Sequence, residues 1–456
     1  MDNKVSEKNV TPHAMRWERL ISSKRLGLEE YHDPESRSRS DFQRDYDRMI
    51  FSSPFRRLQN KTQVFPLPGH IFVHNRLTHS LEVSSVGRSM ANSVADSLRH
   101  KYKEEEWSSL FHHLGDITAT ACLCHDMGNP PFGHSGEKAI STFFSEREGR
   151  GLRDMLSASE WSDFTHFEGN ANSLRLLTHQ FAGRRPGGFA MTYSALASIV
   201  KYPYNSLQAG PGGKFGFFTS EQDTYRKIAN ELGIPALDAE ATRFMRHPLV
   251  FIVEAADDIC YQIMDLEDAH KLRIISTGEL MEIFSHYFSA ESRGREIDKI
   301  SRYSDPNEKI AFLRTKVIGS LVSECAREFA ASEDKILSGA YEGSLIDNLS
   351  GDVAEGYALC TRTAWERIYR SREVVDVEIA GNRIITYLMG ALTDAVLNPT
   401  RTASRLLLER VPEQYDTRTD SVYGKIQSVL DHVSAMTDVY ALDLYRKLNG
   451  HALPAV

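Results

Sequence analysis

Residues with metal-binding and acid–base side chains interrupt three segments that otherwise have the apolar pattern of buried helices. His79 lies on the apolar face of one predicted helix, His125-Asp126 ends a second, and Asp257-Asp258 lies inside a third. Burying an ionisable group is costly unless a partner compensates it. Two imidazoles and two carboxylates form a mixed nitrogen and oxygen set, which suits a divalent cation with open positions for water and substrate. A closed structural zinc site would instead recruit thiolates.

The helical period selects one aspartate of the Asp257-Asp258 pair. Asp257 shares its helix face with Val250, Val253, Cys260 and Met264, whereas Asp258 points with Glu254, Tyr261 and Asp265. Asp257 is therefore the unexpected carboxylate on an apolar face. A lone buried His or Asp is more often a hydrogen-bonded structural residue. It is the combination of His79, His125, Asp126 and Asp257 that indicates a metal site.

A second polar pair follows closely after His125-Asp126. His134 and Glu137 are three residues apart at the start of the next predicted helix, so their side chains lie on one face. A carboxylate that orients an imidazole beside a metal is a typical proton-transfer dyad. The alternative is an ordinary helix start, with Ser135 as N-cap and an acidic first turn. The short distance in sequence from His125-Asp126 favours the dyad.

The elements that must position these residues are helices, because apolar residues recur with a period of 3.6. Helices are predicted at about 78–99, 116–127, 135–144, 167–180 and 248–270, with further helices over 307–448. Gly128-Asn129-Pro130-Pro131 ends the second of them. Two segments differ: 187–216 is rich in glycine and proline and predicts a loop, and the β-branched alternation at 374–379 predicts one short strand or hairpin.

Composition excludes several classes of protein. The chain has 456 residues and a net charge of −8, so it lacks a globally basic surface for nucleic acid. No apolar run is long enough to span a membrane. The polar N-terminus and five cysteines, an odd number, predict a reducing, cytoplasmic location. The predicted organisation is a disordered tail at 1–15, a catalytic core with its N-terminal flank at 16–275, and a C-terminal helical region at 276–456.

Six ordered blocks resemble the signature segments of the dGTP triphosphohydrolase (dNTPase) family, within the HD-domain metallophosphohydrolase superfamily. The blocks are KTQVFP at 61–66, RLTHS at 76–80, HDMGNPPFGH at 125–134, HFEGN at 166–170, EAADDI at 254–259 and MTDVYA at 436–441. An isolated His-Asp dipeptide would carry little weight, whereas six blocks in order are specific. The resemblance extends from about residue 56 to residue 448.

The resemblance implies a mainly α fold, an HD-domain helical core with additional C-terminal helices and at most a short hairpin. It implies a homo-oligomer, a tetramer or hexamer, that hydrolyses dGTP or other dNTPs to the deoxynucleoside and tripolyphosphate. It places His79, His125, Asp126 and Asp257 on the metal ligands, His134 and Glu137 on the catalytic dyad, Arg76, Asn170, Lys201 and Tyr202 near the phosphates, and Gln63, Val64, Tyr261 and Asp265 around the sugar and base. Manganese and magnesium are the expected metals, and cobalt, iron and nickel also suit this ligand set.

Two other functions fit parts of the same pattern. One is an HD-type phosphohydrolase that acts on another nucleotide or phosphate ester. The other is a non-catalytic sensor of nucleotides or single-stranded DNA, which would use the arginine-rich region before Lys61 and the basic segment 214–227. Single-stranded DNA is also a candidate effector of the enzyme. The sequence leaves open whether dGTP alone is the substrate, and whether His134 acts as acid, base or nucleophile.

Overall fold

The computed structural model describes residues 14–30, 39–65, 73–210 and 212–451. Residues 1–13, most of the predicted tail, lie outside the described residues. Met15 is buried, and its N–H donates a hydrogen bond to the carbonyl of Leu337. The chain is therefore anchored to its C-terminal half from the first described residues.

The mainly α fold predicted from the sequence is confirmed, since the described residues form twenty α-helices and no β-sheet. The first eleven helices are α1 (Trp17–Leu20), α2 (Asp41–Ile50), α3 (Ser53–Arg57), α4 (Arg76–Lys101), α5 (Leu114–Cys124), α6 (Gly133–Glu146), α7 (Ala158–Thr165), α8 (Gly169–Thr178), α9 (Tyr193–Ile199), α10 (Gln222–Leu232) and α11 (Pro248–Lys271). The remaining helices are α12 (Thr277–Ser285), α13 (Ala290–Ile300), α14 (Pro306–Ala331), α15 (Glu333–Leu337), α16 (Gly351–Arg367), α17 (Arg372–Leu397), α18 (Thr402–Leu408), α19 (Val422–Ser434) and α20 (Asp438–Leu448). Short 3₁₀ segments lie at Leu58–Asn60, Glu106–His113, Glu148–Met155, Ser206–Gln208 and Thr219–Glu221.

The helices bury two hydrophobic clusters. The larger one is built around α4, α5, α11 and α14, whose apolar faces carry Val83, Leu123 and Ile259, among others. The smaller one joins α6 to α17, α19 and α20 through side chains such as Phe143 and Leu388. Burial of this apolar surface is the main favourable term in folding. Because α5 and α6 are consecutive, the turn between them connects the two clusters.

The predicted strand or hairpin at 374–379 is wrong, because these residues form the first turns of α17. The β-branched side chains suggested a strand, but such propensities are weak and are overridden by packing. Val374 packs into the larger cluster, while Ile384, Ile385 and Leu388 pack into the smaller one at helical spacing. The helix thus spans both clusters, and a strand in its place could not present these side chains to either.

The predicted loop at 187–216 is also wrong in part, because it contains α9. Every residue of α9 is buried, and the hydroxyl of its N-cap, Thr192, accepts a hydrogen bond from the N–H of Ala195. An N-cap of this kind satisfies a backbone donor that would otherwise lack a partner. Gly187 and Gly188, with φ of 76° and 61°, do form a turn just before it. Glycine content therefore identified the turn but not the buried helix after it.

Acid sensitivity of the fold is expected from the buried imidazole of His247, the N-cap of α11. The imidazole is fully buried, and its Nδ1 accepts a hydrogen bond from the N–H of Leu249. Burial lowers the pKa of His247 to about 4. Because this value lies below the unfolded pKa of about 6.5, the stabilisation is complete above about pH 6.5 and is lost as the pH falls towards the folded pKa.

His247→Asn keeps an acceptor at the N-cap and removes the titration. Between pH 7 and the folded pKa we expect the variant to lose less free energy of unfolding than the wild type, by up to about 3 kcal/mol. Urea unfolding at a series of pH values measures this difference. Parallel pH profiles of the two proteins would contradict the assignment.

The cysteines and the helix lengths bear on two of the expectations from composition. All five cysteines are buried and unpaired. Within the described ranges, no helix combines the length and the apolar character needed to cross a membrane.

Candidate active site

The structure brings His79, His125, Asp126 and Asp257 together from three parts of the fold. His79 lies in the first turn of α4, and its Nε2 is 3.0 Å from Oδ1 of Asp257 on α11. His125 follows the last residue of α5, and its Nε2 is 3.4 Å from Oδ1 of Asp257 and 3.7 Å from Oδ1 of Asp126. The helical period had predicted that Asp257, not Asp258, faces this corner.

The donor atoms of this cluster fit a metal ion. Nδ1 of His125 lies 2.6 Å from the carbonyl of Cys122. Donation of that N–H leaves Nε2 as the free lone pair, as is usual for a metal-binding histidine. Nε2 of His125 is buried and has no hydrogen-bond partner among the residues that the structure describes. One ligand atom each from His79, His125 and Asp126 lie within 4.8 Å of one another, and Asp257 contacts both histidines.

The electrostatics of the cluster also favour a cation. Burial by itself lowers the pKa of His125, but the charges of Asp126 and Asp257 outweigh it and raise the pKa to about 9. Burial raises the pKa of Asp257, and the two histidines reverse this and hold the pKa well below its usual range. The two carboxylates therefore create a site of negative potential, which a divalent ion would neutralise.

Neighbouring side chains hold Asp126 and the turn after α5 in place. Arg76 donates from Nη1 to Oδ2 of Asp126 at 2.7 Å, and the side-chain amide of Asn129 donates to Oδ1. The hydroxyl of Ser173 on α8 donates to the carbonyl of His125 and accepts from the N–H of Gly128. A Cβ at Gly128 would lie 2.2 Å from the nitrogen of Ser173, so only glycine permits this contact.

His134 and Glu137 lie at the start of α6, beside the cluster. Nδ1 of His134 is 3.6 Å from Oε2 of Glu137, which is longer than a hydrogen bond. Catalytic hydrogen bonds often shorten only when substrate binds. Oε1 of Glu137 accepts from the N–H of Gly169 at 2.9 Å. Glu137 is buried, whereas the imidazole of His134 is 83% exposed and can reach a substrate.

The pKa values of His134 and Glu137 are shifted in opposite directions. Burial raises the pKa of Glu137. The pKa of His134 is lowered by its partly desolvated position in the cleft and then by the positive charges of Lys214 and Arg76. Both directions favour the neutral form of each group when no anion is bound.

The cluster opens into a cleft of about 500 Å³ that brings together most of the residues predicted to contact substrate. A cleft of this size is typical for a small-molecule ligand. Gln63, Val64, Arg76, Asn170, Lys201, Tyr202 and Tyr261 all line it. A larger cavity of about 880 Å³ lies between α6 and α17, and none of the described residues that line it is a histidine or a cysteine.

Asp265 is the one predicted substrate residue that does not line the cleft. Its carboxylate is buried and accepts a hydrogen bond from the hydroxyl of Tyr369 at 2.9 Å. The ring of Tyr369 stacks on Tyr261, with centroids 5.8 Å apart. Asp265 therefore contacts the cleft through Tyr369. The helical spacing placed Asp265 and Tyr261 on one face of α11, but the intervening tyrosine comes from another part of the chain.

Several residues of the cleft were missed by the sequence analysis. They are Glu168, Lys214, Asp258, Trp365, Tyr369, Val374, Val377 and Glu378. Lys214, which forms an ion pair with Glu168 at 2.7 Å, belongs to the basic segment 214–227 that the sensor alternative would use. The cleft residues between Trp365 and Glu378 lie in a part of the sequence that matches none of the six family blocks. The incorrect strand prediction at 374–379 also gave no indication that the start of α17 faces the cleft.

Comparisons with known proteins identify two family models and several relatives that match this chain. Residues 76–177 match the HD domain family model, and residues 348–447 match the phosphohydrolase-associated domain model. A deoxyguanosinetriphosphate triphosphohydrolase-like protein of Pseudomonas aeruginosa is 36% identical, with 97% of this chain and 100% of the relative aligned. The chain belongs to the deoxyguanosinetriphosphate triphosphohydrolase-like family. It is therefore an HD-domain hydrolase.

Other members of this triphosphohydrolase-like family align over similar lengths. A protein with the same name from a Synechocystis species is 37% identical over 96% of this chain and 100% of the relative. A deoxyguanosinetriphosphate triphosphohydrolase of Yersinia enterocolitica is 28% identical over 89% of this chain and 93% of the relative. The resemblance predicted from six sequence blocks is confirmed at the level of the family.

Proposed function

We propose that this protein is a metal-dependent deoxynucleoside triphosphate triphosphohydrolase, which cleaves dGTP or several dNTPs into the deoxynucleoside and tripolyphosphate. The observation that carries the proposal is that three of the four candidate ligands, His125, Asp126 and Asp257, line the same cleft as the cationic side chains of Arg76, Lys201 and Lys214. A triphosphate carries about four negative charges and needs such cationic donors. The relatives named as triphosphohydrolases support the same substrate class.

His79, His125, Asp126 and Asp257 would hold the metal ion. Bound there, it would supply Lewis acidity towards the α-phosphate and lower the pKa of a water molecule. Manganese and magnesium are our first candidates, because carboxylate-containing sets with open positions suit both. Cobalt, iron and nickel are the alternatives. Asp126 is oriented for this role by Arg76 and Asn129, which bond its two oxygens.

Other residues of the cleft would bind the triphosphate and transfer the proton. The phosphate oxygens would be bound by Arg76, Lys201, Lys214 and the amide of Asn170. These contacts would hold the triphosphate in line for attack by water. Glu137, itself fixed by the N–H of Gly169, would orient His134 towards the 5′-oxygen, which needs a proton to depart. An approaching triphosphate would raise the lowered pKa of His134 and favour the protonated acid. In the free protein the same imidazole is set up as a base.

Discrimination against ribonucleotides is expected from the stacked pair Tyr261 and Tyr369. Tyr261 lies one turn after Asp257 on α11 and lines the cleft, so its ring would face the sugar of a nucleotide bound at the cluster and would leave no space for a 2′-hydroxyl. Tyr261→Ala removes that wall, and we expect the preference for dGTP over GTP in kcat/KM to fall by about 10-fold or more. Tyr369→Phe keeps both rings and removes only the hydroxyl that bonds Asp265. Tyr369→Phe should therefore retain the preference for dGTP over GTP. If Tyr261→Ala were as selective as the wild type, the ring of Tyr261 would not be the group that rejects the 2′-hydroxyl.

Product analysis tests the proposed function directly. Wild-type protein is incubated with each of the four dNTPs and four NTPs, with Mn²⁺ or Mg²⁺, and the products are separated by anion-exchange chromatography. Deoxynucleoside and tripolyphosphate in equal amounts are the expected products. Release of pyrophosphate or of single phosphates would assign the cleft to another phosphohydrolase reaction. The panel also distinguishes a dGTP-specific enzyme from a broad one.

The sensor alternative receives less support from the cleft. Lys214 of the supposed basic surface lines the cleft and pairs with Glu168, and Lys227 pairs with Glu29. Arg25 in the arginine-rich flank is buried against Asp41 and Asp45. Less positive charge is thus free for a nucleic acid than the sequence indicated. A DNA effector, a homo-oligomeric state, a cytoplasmic location and the division into 16–275 and 276–456 remain predictions.

A further inference from the structure

The sixth block of the family resemblance, MTDVYA at 436–441, has no role in the site described so far. Its Asp438 is the first residue of α20, more than 300 positions after the HD turn, and its side chain is buried. Oδ2 of Asp438 accepts from the N–H of Thr62 at 2.8 Å and from its hydroxyl at 2.5 Å. Oδ1 accepts from the N–H of Phe132 at 2.9 Å. One carboxylate therefore joins two distant segments.

Both segments lead directly into the cleft. Thr62 precedes Gln63 and Val64, which line the cleft. Phe132 precedes the first turn of α6, which carries His134. Its backbone is left-handed, with φ of 63° and ψ of 18°, a conformation that non-glycine residues adopt only when surrounding contacts hold them there. The bond from Phe132 to Asp438 is such a contact.

Other contacts from the C-terminal helices hold the same turn. The hydroxyl of Ser135 donates to the carbonyl of Glu378 on α17 at 2.7 Å. A Cβ at Gly381 would lie 2.7 Å from Cβ of Phe132, so α17 approaches the turn as closely as glycine allows. The buried ammonium group of Lys61 donates to the carbonyls of Asn129 and Ser434. The junction of α19 and α20 is thereby joined to the segment before Gln63 and to the turn before α6.

We propose that Asp438 is a positioning residue of the active site, which fixes the segment of Gln63 and Val64 relative to the turn that carries His134. The inference rests on the proposed function. Asp438 contacts none of the four candidate metal ligands, so its effect should appear in the placement of substrate and proton donor. A displacement of about 1 Å in such groups is enough to reduce turnover by about 100-fold.

Two variants distinguish the hydrogen bonds of Asp438 to Thr62 from its hydrogen bond to Phe132. In Asp438→Asn the carboxamide oxygen is best placed against the two donors of Thr62, which leaves its NH₂ group facing the N–H of Phe132. The hydrogen bond from Phe132 is then lost. We expect kcat to fall about 10- to 100-fold, while KM and the affinity for Mn²⁺ stay within about 3-fold of the wild-type values. Thr62→Val removes only the hydroxyl donor. It should raise KM by about 3- to 10-fold and leave kcat within about 2-fold.

Asp163→Asn is the matched control. Asp163 is fully buried and also accepts three hydrogen bonds from backbone and hydroxyl donors, one from the N–H of Thr219 and two from the hydroxyls of Ser206 and Tyr423. None of these partners lines the cleft. We expect this variant to lose thermal stability at least as much as Asp438→Asn but to keep the wild-type kcat per folded molecule. A global loss of folded protein therefore cannot imitate the expected split between kcat and KM.

Hydrogen exchange followed by mass spectrometry gives a readout that does not depend on turnover. Peptides covering 130–137 should exchange faster in Asp438→Asn than in wild type or Asp163→Asn. Unchanged exchange there, or a kcat that falls only with the folded fraction, would overturn the positioning role. Failure of the wild type to release tripolyphosphate would instead refute the proposed function, while the exchange experiment would still test the contact.

Discussion

Asp257→Asn is expected to reduce turnover by about 1000-fold and to weaken Mn²⁺ binding strongly. The carboxylate of Asp257 lies 3.0 Å from Nε2 of His79 and 3.4 Å from Nε2 of His125, so it is the group that joins the two histidines. Loss of its charge removes both a candidate ligand and much of the negative potential of the site. Metal-ion catalysis contributes several kcal/mol to the transition state, and about 4 kcal/mol corresponds to about 1000-fold.

Asp268→Asn provides the control on the same helix. Asp268 is also a buried carboxylate of α11 that bonds a histidine, His74, but it lies outside the cleft. Its replacement should destabilise the fold without changing Mn²⁺ affinity, as measured by isothermal titration calorimetry. If Asp257→Asn kept the wild-type affinity for Mn²⁺ and Mg²⁺, the four-residue ligand set would have to be abandoned.

His134→Ala is expected to reduce turnover at least about 100-fold, a typical contribution of acid–base catalysis. Mn²⁺ binding should be unchanged, because His134 is not among the residues that surround the candidate metal position. The melting temperature should also be unchanged, since the imidazole is 83% exposed and its loss leaves no cavity. Single-turnover kinetics with dGTP measures the chemical step separately from product release.

His112→Ala is the control for His134→Ala. His112 is exposed, lies near Arg99 and does not line the cleft. His112→Ala should therefore retain full turnover. Near-wild-type turnover of His134→Ala would remove the dyad from the mechanism and leave Glu137 as a purely structural group bound to Gly169.

Local sequence patterns predicted the long helices of the core closely. The predicted ranges 78–99 and 248–270 correspond to α4 (Arg76–Lys101) and α11 (Pro248–Lys271). Their apolar stripes repeat every 3.6 residues over many turns, and the burial of those stripes in the larger cluster is what stabilises them. The same period placed Asp257 on the face that meets His79, because direction around a helix depends only on position along it.

Short elements were predicted less well than the long helices. The six residues 374–379 alternate like a strand but belong to a helix that is held by two hydrophobic clusters at once. The buried helix α9 lies in a glycine-rich stretch that has too few turns to show a period. Over such lengths intrinsic preferences amount to fractions of a kcal/mol per residue, and packing against distant elements outweighs them.

Residue types and their spacing were sufficient to identify the fold class, the family, and four side chains suited to a divalent ion, because helical periods and the order of sequence blocks can be read along the chain without knowing how the helices pack. The cleft wall formed by Tyr369 and Glu378, the indirect contact of Asp265, and the bonds of Asp438 could not be inferred in this way. They depend on distances between segments that are far apart in the sequence, by 104 residues for Tyr369 and Asp265 and by 306 for Phe132 and Asp438. Those distances follow from how whole helices pack against one another, and no local pattern in the chain records them.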